Sequence, residues 1–421
     1  MALPVSTPFG AHPLNILFVA DGRSPIALNW MSFFATRGHD VHLVSTFPCT
    51  PDLPLASLTT LPVALDRLTG QKSPVGKAGR RGAPSLRSVL PPVARTTFRH
   101  WLGPLTLPSL AQCLRRIIMQ VKPDLVHAMR IPFEGMLAAL ATEGVPLLIS
   151  VWGNDFTLHA RSTPLLSRYT RMAMHRADAL HTDCQRDARL ARSWGYRTNG
   201  PTIVLPGGGG VQLDIFCPPN KGEGVTPKER GSETPDTRRC TVINPRGMRS
   251  YVRTDTFFRA VPLVLDRYPQ ARFLCPAMAG EPQAERWLAE SRLKSAVILL
   301  PGQSRHEMAG LFRSSLVMVS PSIHDGTPNT LLEAMACGCF PIAGDLESIR
   351  EWITPGVNGL LVDPADPASL AEAILQALEN PILIEKAARI NKQAIVDRAA
   401  YEEVMPMAEN FYRTLVCERS G

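Results

Sequence analysis

Between residues 317 and 363 the chain concentrates groups able to grip a phosphorylated, hydroxyl-rich ligand. A strand-like run ends in Ser320-Pro321-Ser322, a turn carries Asp325-Gly326, and a helix is expected to open at Thr327-Pro328-Asn329, with Thr327 as N-cap and Pro328 as first helical residue. The N–H groups of Asn329 and Thr330, with Leu331 behind them, would then face the mouth of a sheet. Such a helix start carries partial positive charge and suits a phosphate or diphosphate. Asp325 precedes the helix and Glu333 lies about one turn into it, a spacing that sets two carboxylates on either side of one ligand. Carboxylates accept hydrogen bonds from hydroxyls, which a sugar and a ribose both offer.

A phosphate or diphosphate ligand also needs cations. Asn244-Pro245-Arg246-Gly247 follows another strand-like run and supplies Arg246, with Arg249 and Arg253 close behind. A planar guanidinium clamps a diphosphate through two parallel bonds. The chain has no Asp-x-Asp motif, so the metal-dependent way of neutralising a diphosphate has no support in the sequence; no cofactor is expected, and the charge falls to side chains and a helix terminus.

These groups need a scaffold. Asn15 to Ala20 reads as a buried strand, followed by the turn Asp21-Gly22-Arg23-Ser24-Pro25, a helix with Ile26, Trp30, Phe33 and Phe34 at helical spacing, a stop at Gly38, and a second strand from Asp40 to Ser45. That βαβ unit predicts a parallel sheet with ligands at its carboxyl ends. Strand-like runs at 125–128, 146–151, 179–182 and 202–205 continue it, and a second series begins at Thr241 with runs at 241–244, 272–275, 296–300, 316–320, 340–343 and 359–362. The expected architecture is α/β: two doubly wound Rossmann-like domains facing across a cleft. The first domain covers 1–206, a glycine-rich hinge and exposed insertion 207–239, the second domain 240–395, and a last helix 396–421.

Residues 325–363 resemble the retaining glycosyltransferases of family 4, the group 1 glycosyl transferases of GT-B fold. The resemblance lies in Asp325-Gly326-Thr327-Pro328, Leu332-Glu333-Ala334-Met335-Ala336, Gly338, Pro341-Ile342 and Asn358-Gly359-Leu360-Leu361-Val362-Asp363. It extends more weakly over nearly the whole chain, and implies that 1–206 is the acceptor-side domain, that 240–395 binds the nucleotide sugar, and that the last helix, 396–421, packs back on the first domain. It implies a nucleoside-diphosphate sugar of UDP or GDP type as donor, with Asp325 on the sugar hydroxyls, Glu333 on the ribose and Arg246 on the diphosphate. Asp325 stands where the family has Glu. The family's lysine position holds Tyr251, with Arg249 or Arg253 as replacement. Val151-Trp152-Gly153-Asn154-Asp155 is similar to the family's His-Gly-x-Asp segment, so Trp152 and Asp155, with Gly22 of the first turn, are placed on the sugar or acceptor side. Trp152 can stack on a sugar but cannot take a proton; a core tryptophan is the competing reading. The family's usual front-face mechanism gives the acceptor proton to the leaving phosphate. Pro206-Gly207-Gly208-Gly209-Gly210-Val211 resembles the interdomain stretch and serves as hinge, close approach to ligand or plain connector. Two rivals share the fold or the ligand: a sugar-nucleotide epimerase and a non-catalytic sugar-nucleotide-binding homologue.

Net charge is +8, which favours acidic partners. Residues 67–100 hold Arg67, Lys72, Lys77, Arg80, Arg81, Arg87, Arg95 and Arg99, no acid, and interleaved apolar side chains. They read as a solvated loop or as a surface for anionic lipid that brings a glycan or lipid-linked acceptor to the cleft. No base-stacking aromatic array accompanies the charge, so nucleic acid is not an expected partner. The 9 cysteines form no CxxC pair, and Ile16 to Ala20 is too short for a signal core. The expectation is a cytoplasmic protein, at most peripheral at the inner membrane face. The 38 prolines point to many fixed corners.

Overall fold

A computed structural model describes residues 12–63, 99–219, 240–289 and 293–420. Of the basic stretch 67–100 only Arg99 and His100 are described, and most of the insertion, 220–239, also lies outside the described residues. In the first half, apolar runs become parallel strands because they are covered on both faces. They are β1 (Asn15–Ala20), β2 (Asp40–Ser45), β3 (Ser57–Thr60), β4 (Leu125–Ala128), β5 (Leu147–Val151), β6 (Ala179–Thr182) and β7 (Thr202–Val204). They form one sheet in the order β3-β2-β1-β4-β5-β6-β7. The second half supplies β8 (Thr241–Ile243), β9 (Arg272–Cys275), β10 (Val297–Leu299), β11 (Val317–Ser320), β12 (Phe340–Gly344) and β13 (Leu360–Val362), ordered β10-β9-β8-β11-β12-β13. Strand order reverses between β1 and β4 in one sheet and between β8 and β11 in the other. Ligands bind at such reversals, beyond the carboxyl ends of the strands.

Local chemistry sets the helices. Ser24 caps helix Pro25–Thr36 by accepting from Ala27 N, and Gly38 takes the left-handed conformation just past its end. One face of the first sheet packs on Leu114, Ile118 and Met136, the other on Trp30 and Phe34 of that helix together with Met405 and Tyr412. The second sheet is covered by Phe257, Val261 and Ile374 on one side and by Phe312, Leu332 and Met335 on the other.

The chain crosses between the halves twice, and the crossings pair with each other. Val211 N donates to Ala399 O at 2.7 Å and Tyr401 N to Val211 O at 2.9 Å. Gly209 and Gly210 there have φ of 82° and 91°, and a Cβ on Gly210 would lie 2.4 Å from Ala399 O, so this strand needs glycine. The return falls at Ala400 rather than at 396: helix Pro381–Ala399 stays with the second sheet, and helix Tyr401–Ser420 crosses to the first. The displacement follows from Ile395 and Ala399, whose apolar faces belong to the second core.

A buried polar line docks that last helix. Trp30 Nε1 donates to Tyr412 OH at 2.9 Å, Tyr412 OH to His127 Nδ1 at 2.5 Å, His127 Nε2 to Ser150 Oγ at 2.7 Å, Ser150 Oγ to His181 Nδ1 at 2.8 Å, and His181 Nε2 to Leu205 O at 3.0 Å. Each direction follows from the next, because a carbonyl ends the line. Burial keeps both histidines neutral, lowering His181 to about 4 and His127 well below its ordinary value. Tyr412→Phe is expected to strand the Trp30 donor and the His127 acceptor and to lower stability by about 1–3 kcal/mol. A urea titration followed by Trp fluorescence reads this; an unchanged midpoint would contradict it. Among the described residues no helix is long and apolar enough to cross a membrane.

Candidate active site

The reversal between β8 and β11 brings together residues far apart in sequence. The turn after β8 carries Arg246, and its Gly247 has φ 64°; the turn after β11 carries Asp325. Arg246 Nη2 meets Asp325 Oδ2 at 2.5 Å, and Arg246 Nη1 donates to Thr330 Oγ1 at 3.0 Å. The two charged side chains are only 10% and 15% exposed, while the buried Arg246 Nε has no partner. Arginine, hydroxyl and carboxylate thus line one end of the cleft, with one guanidinium N–H still to be satisfied.

The helix at this point starts later than its sequence suggests. It spans Asn329–Ala336 with Pro328 in the capping position and no side-chain cap. Thr327 is drawn elsewhere: its hydroxyl donates to Asp183 O at 2.5 Å and accepts from Trp352 Nε1 at 3.0 Å. A hydroxyl committed to the other half of the molecule cannot turn back on its own helix, and proline offers no hydrogen-bonding side chain. The N–H groups of Asn329 and Thr330 still stand at the open end. Leu331 does not join them, since its N–H donates to Pro328 O and its side chain is fully buried in the core. Glu333 is half-buried and its carboxylate has no hydrogen bond or ion pair among the described residues. Burial pushes its pKa up to about 7, offset in part by Arg305.

The remaining basic residues are placed differently from one another. Arg253 is held by Asp255 at 2.9 and 3.1 Å, so it is committed to a neighbour on its own segment. Arg249 donates to Tyr251 OH at 3.2 Å and stands exposed.

Across the cleft, the sequence-expected residues divide again. Trp152 is half-buried; its indole N–H is buried without a partner, and the ring lies beside the hinge at Gly207. Asp155 points inward instead: it is fully buried and accepts from Arg130 Nε at 3.0 Å, Ile131 N at 3.1 Å and Trp152 N at 3.1 Å. It holds the shape of the 152–155 turn. Gly22 is also committed to packing, because a Cβ there would lie 2.4 Å from Cys49 Sγ and 2.9 Å from Ser45 Oγ. Its N–H donates to Ser45 Oγ at 3.0 Å.

The two halves touch at bare backbone. A Cβ on Gly153 would lie 1.7 Å from Gly326 N, and one on Gly326 would lie 2.3 Å from Asp183 Oδ1. Gly153→Ala is therefore expected to hold the halves apart, leaving affinity for a ligand held by the second half within about threefold while turnover falls roughly 10²-fold, as a 1 Å misplacement does. Calorimetric titration beside steady-state rates separates the two effects; equal turnover would refute the role of closure. Asp183, Arg186 and Asp187, at the carboxyl end of β6, are the residues that sequence reasoning passed over. Their position just past a strand is the signal that marks them. Asp183, Cys184 and Asp187 bring three ligand-type atoms within 4.8 Å of one another, but both Asp187 oxygens accept from Arg186 at 2.9 and 3.1 Å. That guanidinium already supplies the neutralising cation.

Two parallel α/β domains with a cationic and acidic site at the second sheet's reversal define a GT-B glycosyltransferase architecture. Residues 22–208 match the glycosyl transferase 4-like domain and residues 245–380 match glycosyl transferases group 1. The chain belongs to the group 1 glycosyltransferases. It is 24% identical to EpsD of Bacillus subtilis over 328 residues, 76% of this chain and 82% of that protein. Several further relatives are matched over less than half of their own length. The fold is similar to sucrose-phosphate synthase from Thermosynechococcus elongatus, with TM-score 0.73, 18% identity and coverage of 96% of this chain and 99% of that one. It is also similar to Anabaena HepE in complex with UDP and glucose, with TM-score 0.65, 14% identity and coverage of 95% and 100%.

Proposed function

We propose that this chain moves a sugar from a nucleoside-diphosphate sugar of UDP or GDP type to an acceptor hydroxyl, keeping the anomeric configuration and using no metal. The observation that carries the reading is the Arg246–Asp325 pair at the reversal of the second sheet, flanked by the Asn329 helix start and the unpartnered Glu333. Donor binding exchanges partners. The diphosphate takes the Arg246 guanidinium and the N–H groups of Asn329 and Thr330, which frees Asp325 to accept from the sugar hydroxyls, while Glu333 accepts from the ribose. Charge growing on the leaving diphosphate is met by groups already in place, which is where such sites gain most of their rate. Trp152 offers a ring for the sugar or acceptor and no base, so the departing phosphate oxygen takes the acceptor proton, as in a front-face displacement. HepE holds UDP and glucose in its structure, which supports a uridine donor here.

For the acceptor, we infer a glycan or a lipid-linked saccharide used in cell-surface synthesis. The basic, acid-free pattern of residues 67–100 supports docking on an anionic membrane surface. A thermal-shift screen over UDP, GDP, ADP and dTDP tests the donor reading: one diphosphate is expected to raise the midpoint, and Arg246→Ala to abolish the rise. No shift with any of the four would overturn it.

A further inference from the structure

We infer that Arg186 is a positioning residue: it ties the main chain of the Asp325 turn to that of the Gly153 turn, so that closure of the two halves and placement of the sugar-binding carboxylate become one event. The inference rests on the role of Asp325 given above. Arg186 sits in the first turn of helix Gln185–Ser193, just past β6, and is 7% exposed. Its Nη1 donates to Asp325 O at 2.7 Å and to Ser348 Oγ at 3.1 Å, and Ser348 Oγ donates to the same carbonyl at 2.7 Å. Its Nη2 donates to Gly153 O at 2.7 Å. Asp187 takes Nε at 2.9 Å and shares Nη2 at 3.1 Å, which fixes the plane of the guanidinium.

Only a planar fork of donors can reach carbonyls of both halves and a carboxylate at once; an ammonium cannot. Around it the same seam is closed by further contacts. Glu351, from the second half, accepts from Gln185 N at 3.0 Å and Arg186 N at 3.1 Å, a carboxylate at the positive end of a helix. Thr327, two residues beyond Asp325, donates to Asp183 O. The nucleotide-facing groups Arg246, Thr330 and Glu333 lie wholly on the second half, whereas the Asp325 turn is held from both. Loss of the Arg186 contacts therefore loosens the sugar carboxylate and spares the nucleotide grip.

The experiment compares the full-length chain with Arg186→Lys and with the double variant Arg186→Gln/Asp187→Asn, which removes both buried charges together so that neither is left unpaired. Nucleoside diphosphate dissociation constants are expected to stay within threefold. Turnover is expected to fall at least tenfold in the double variant, with Arg186→Lys between, and amide exchange at 152–155 and 325–327 to accelerate together by at least tenfold. A folded double variant with unchanged turnover, or with unchanged exchange at 325–327, overturns the inference. If the wild-type chain releases no diphosphate from any donor, the reading of Asp325 fails instead, and the exchange measurement still decides whether Arg186 holds that turn.

Discussion

Replacing Arg246 by alanine is expected to slow nucleoside diphosphate release by roughly 10²–10³-fold, the range seen when a donor aimed at developing charge is removed. No neighbour takes its place. Arg253 is bound by Asp255 on two oxygens, and Arg249 stands exposed beside Tyr251. The variant also strands Asp325, whose Oδ2 lies 2.5 Å from the guanidinium, and Thr330 at 3.0 Å. A stability loss of about 1–3 kcal/mol should accompany the kinetic one. Arg246→Lys keeps the charge but cannot hold the hydroxyl and the carboxylate together, so its rate should fall between the two. Steady-state kinetics with a urea titration of each variant separates the effects. A rate for Arg246→Ala within threefold of wild type would remove the arginine from the reaction.

Glu333→Gln is expected to do the opposite to stability. In the folded chain this carboxyl keeps its proton up to about pH 7, against 4.5 for the exposed group. Between those values the folded state binds more protons than the unfolded one. Stability is thus greatest below about 4.5, declines as pH rises through the window, and carries the full penalty above 7. A shift of that size corresponds to about 3 kcal/mol at pH 8, which glutamine escapes because it cannot ionise. The variant should therefore be more stable at pH 8 by roughly 2–3 kcal/mol and nearly unchanged at pH 4. It should also bind the nucleoside diphosphate at least tenfold more weakly, having lost an ionised acceptor for the ribose. Ribose hydroxyls favour the charged carboxylate, so binding to wild type at pH 7 should release protons. Calorimetry in Tris and in phosphate reads that release, and urea midpoints at both pH values read the stability. Equal midpoints at pH 8 would show that the empty carboxylate is not under strain.

Much of the scaffold was legible because a parallel strand covered on both faces is written as a continuous apolar run. NILFVA and DVHLVS become β1 and β2 without a residue of difference. β3 escaped because SLTT is half-exposed at the sheet edge and carries no such run. The Asp325, Glu333 and Arg246 cluster could be picked out as residue types, yet their arrangement depends on strand order, which brings together positions 79 residues apart. Asp155 shows the converse: its turn was visible, but its carboxylate is spent on Arg130 and two backbone amides. Thr327 reads locally as a cap and is recruited by Asp183 instead. Arg186 is marked only by its place just past β6: apart from the adjacent Asp187, its partners are the distant residues 153, 325 and 348.

Incubation of the purified chain with UDP-, GDP-, ADP- and dTDP-sugars in the presence of EDTA, with the product followed by proton NMR, reads donor choice, metal independence and anomeric outcome in one assay. One α-linked donor is expected to release its nucleoside diphosphate and yield an α-configured product, and Asp325→Asn to lose that turnover. Failure of every donor to release diphosphate, or a β-configured product, would contradict the account.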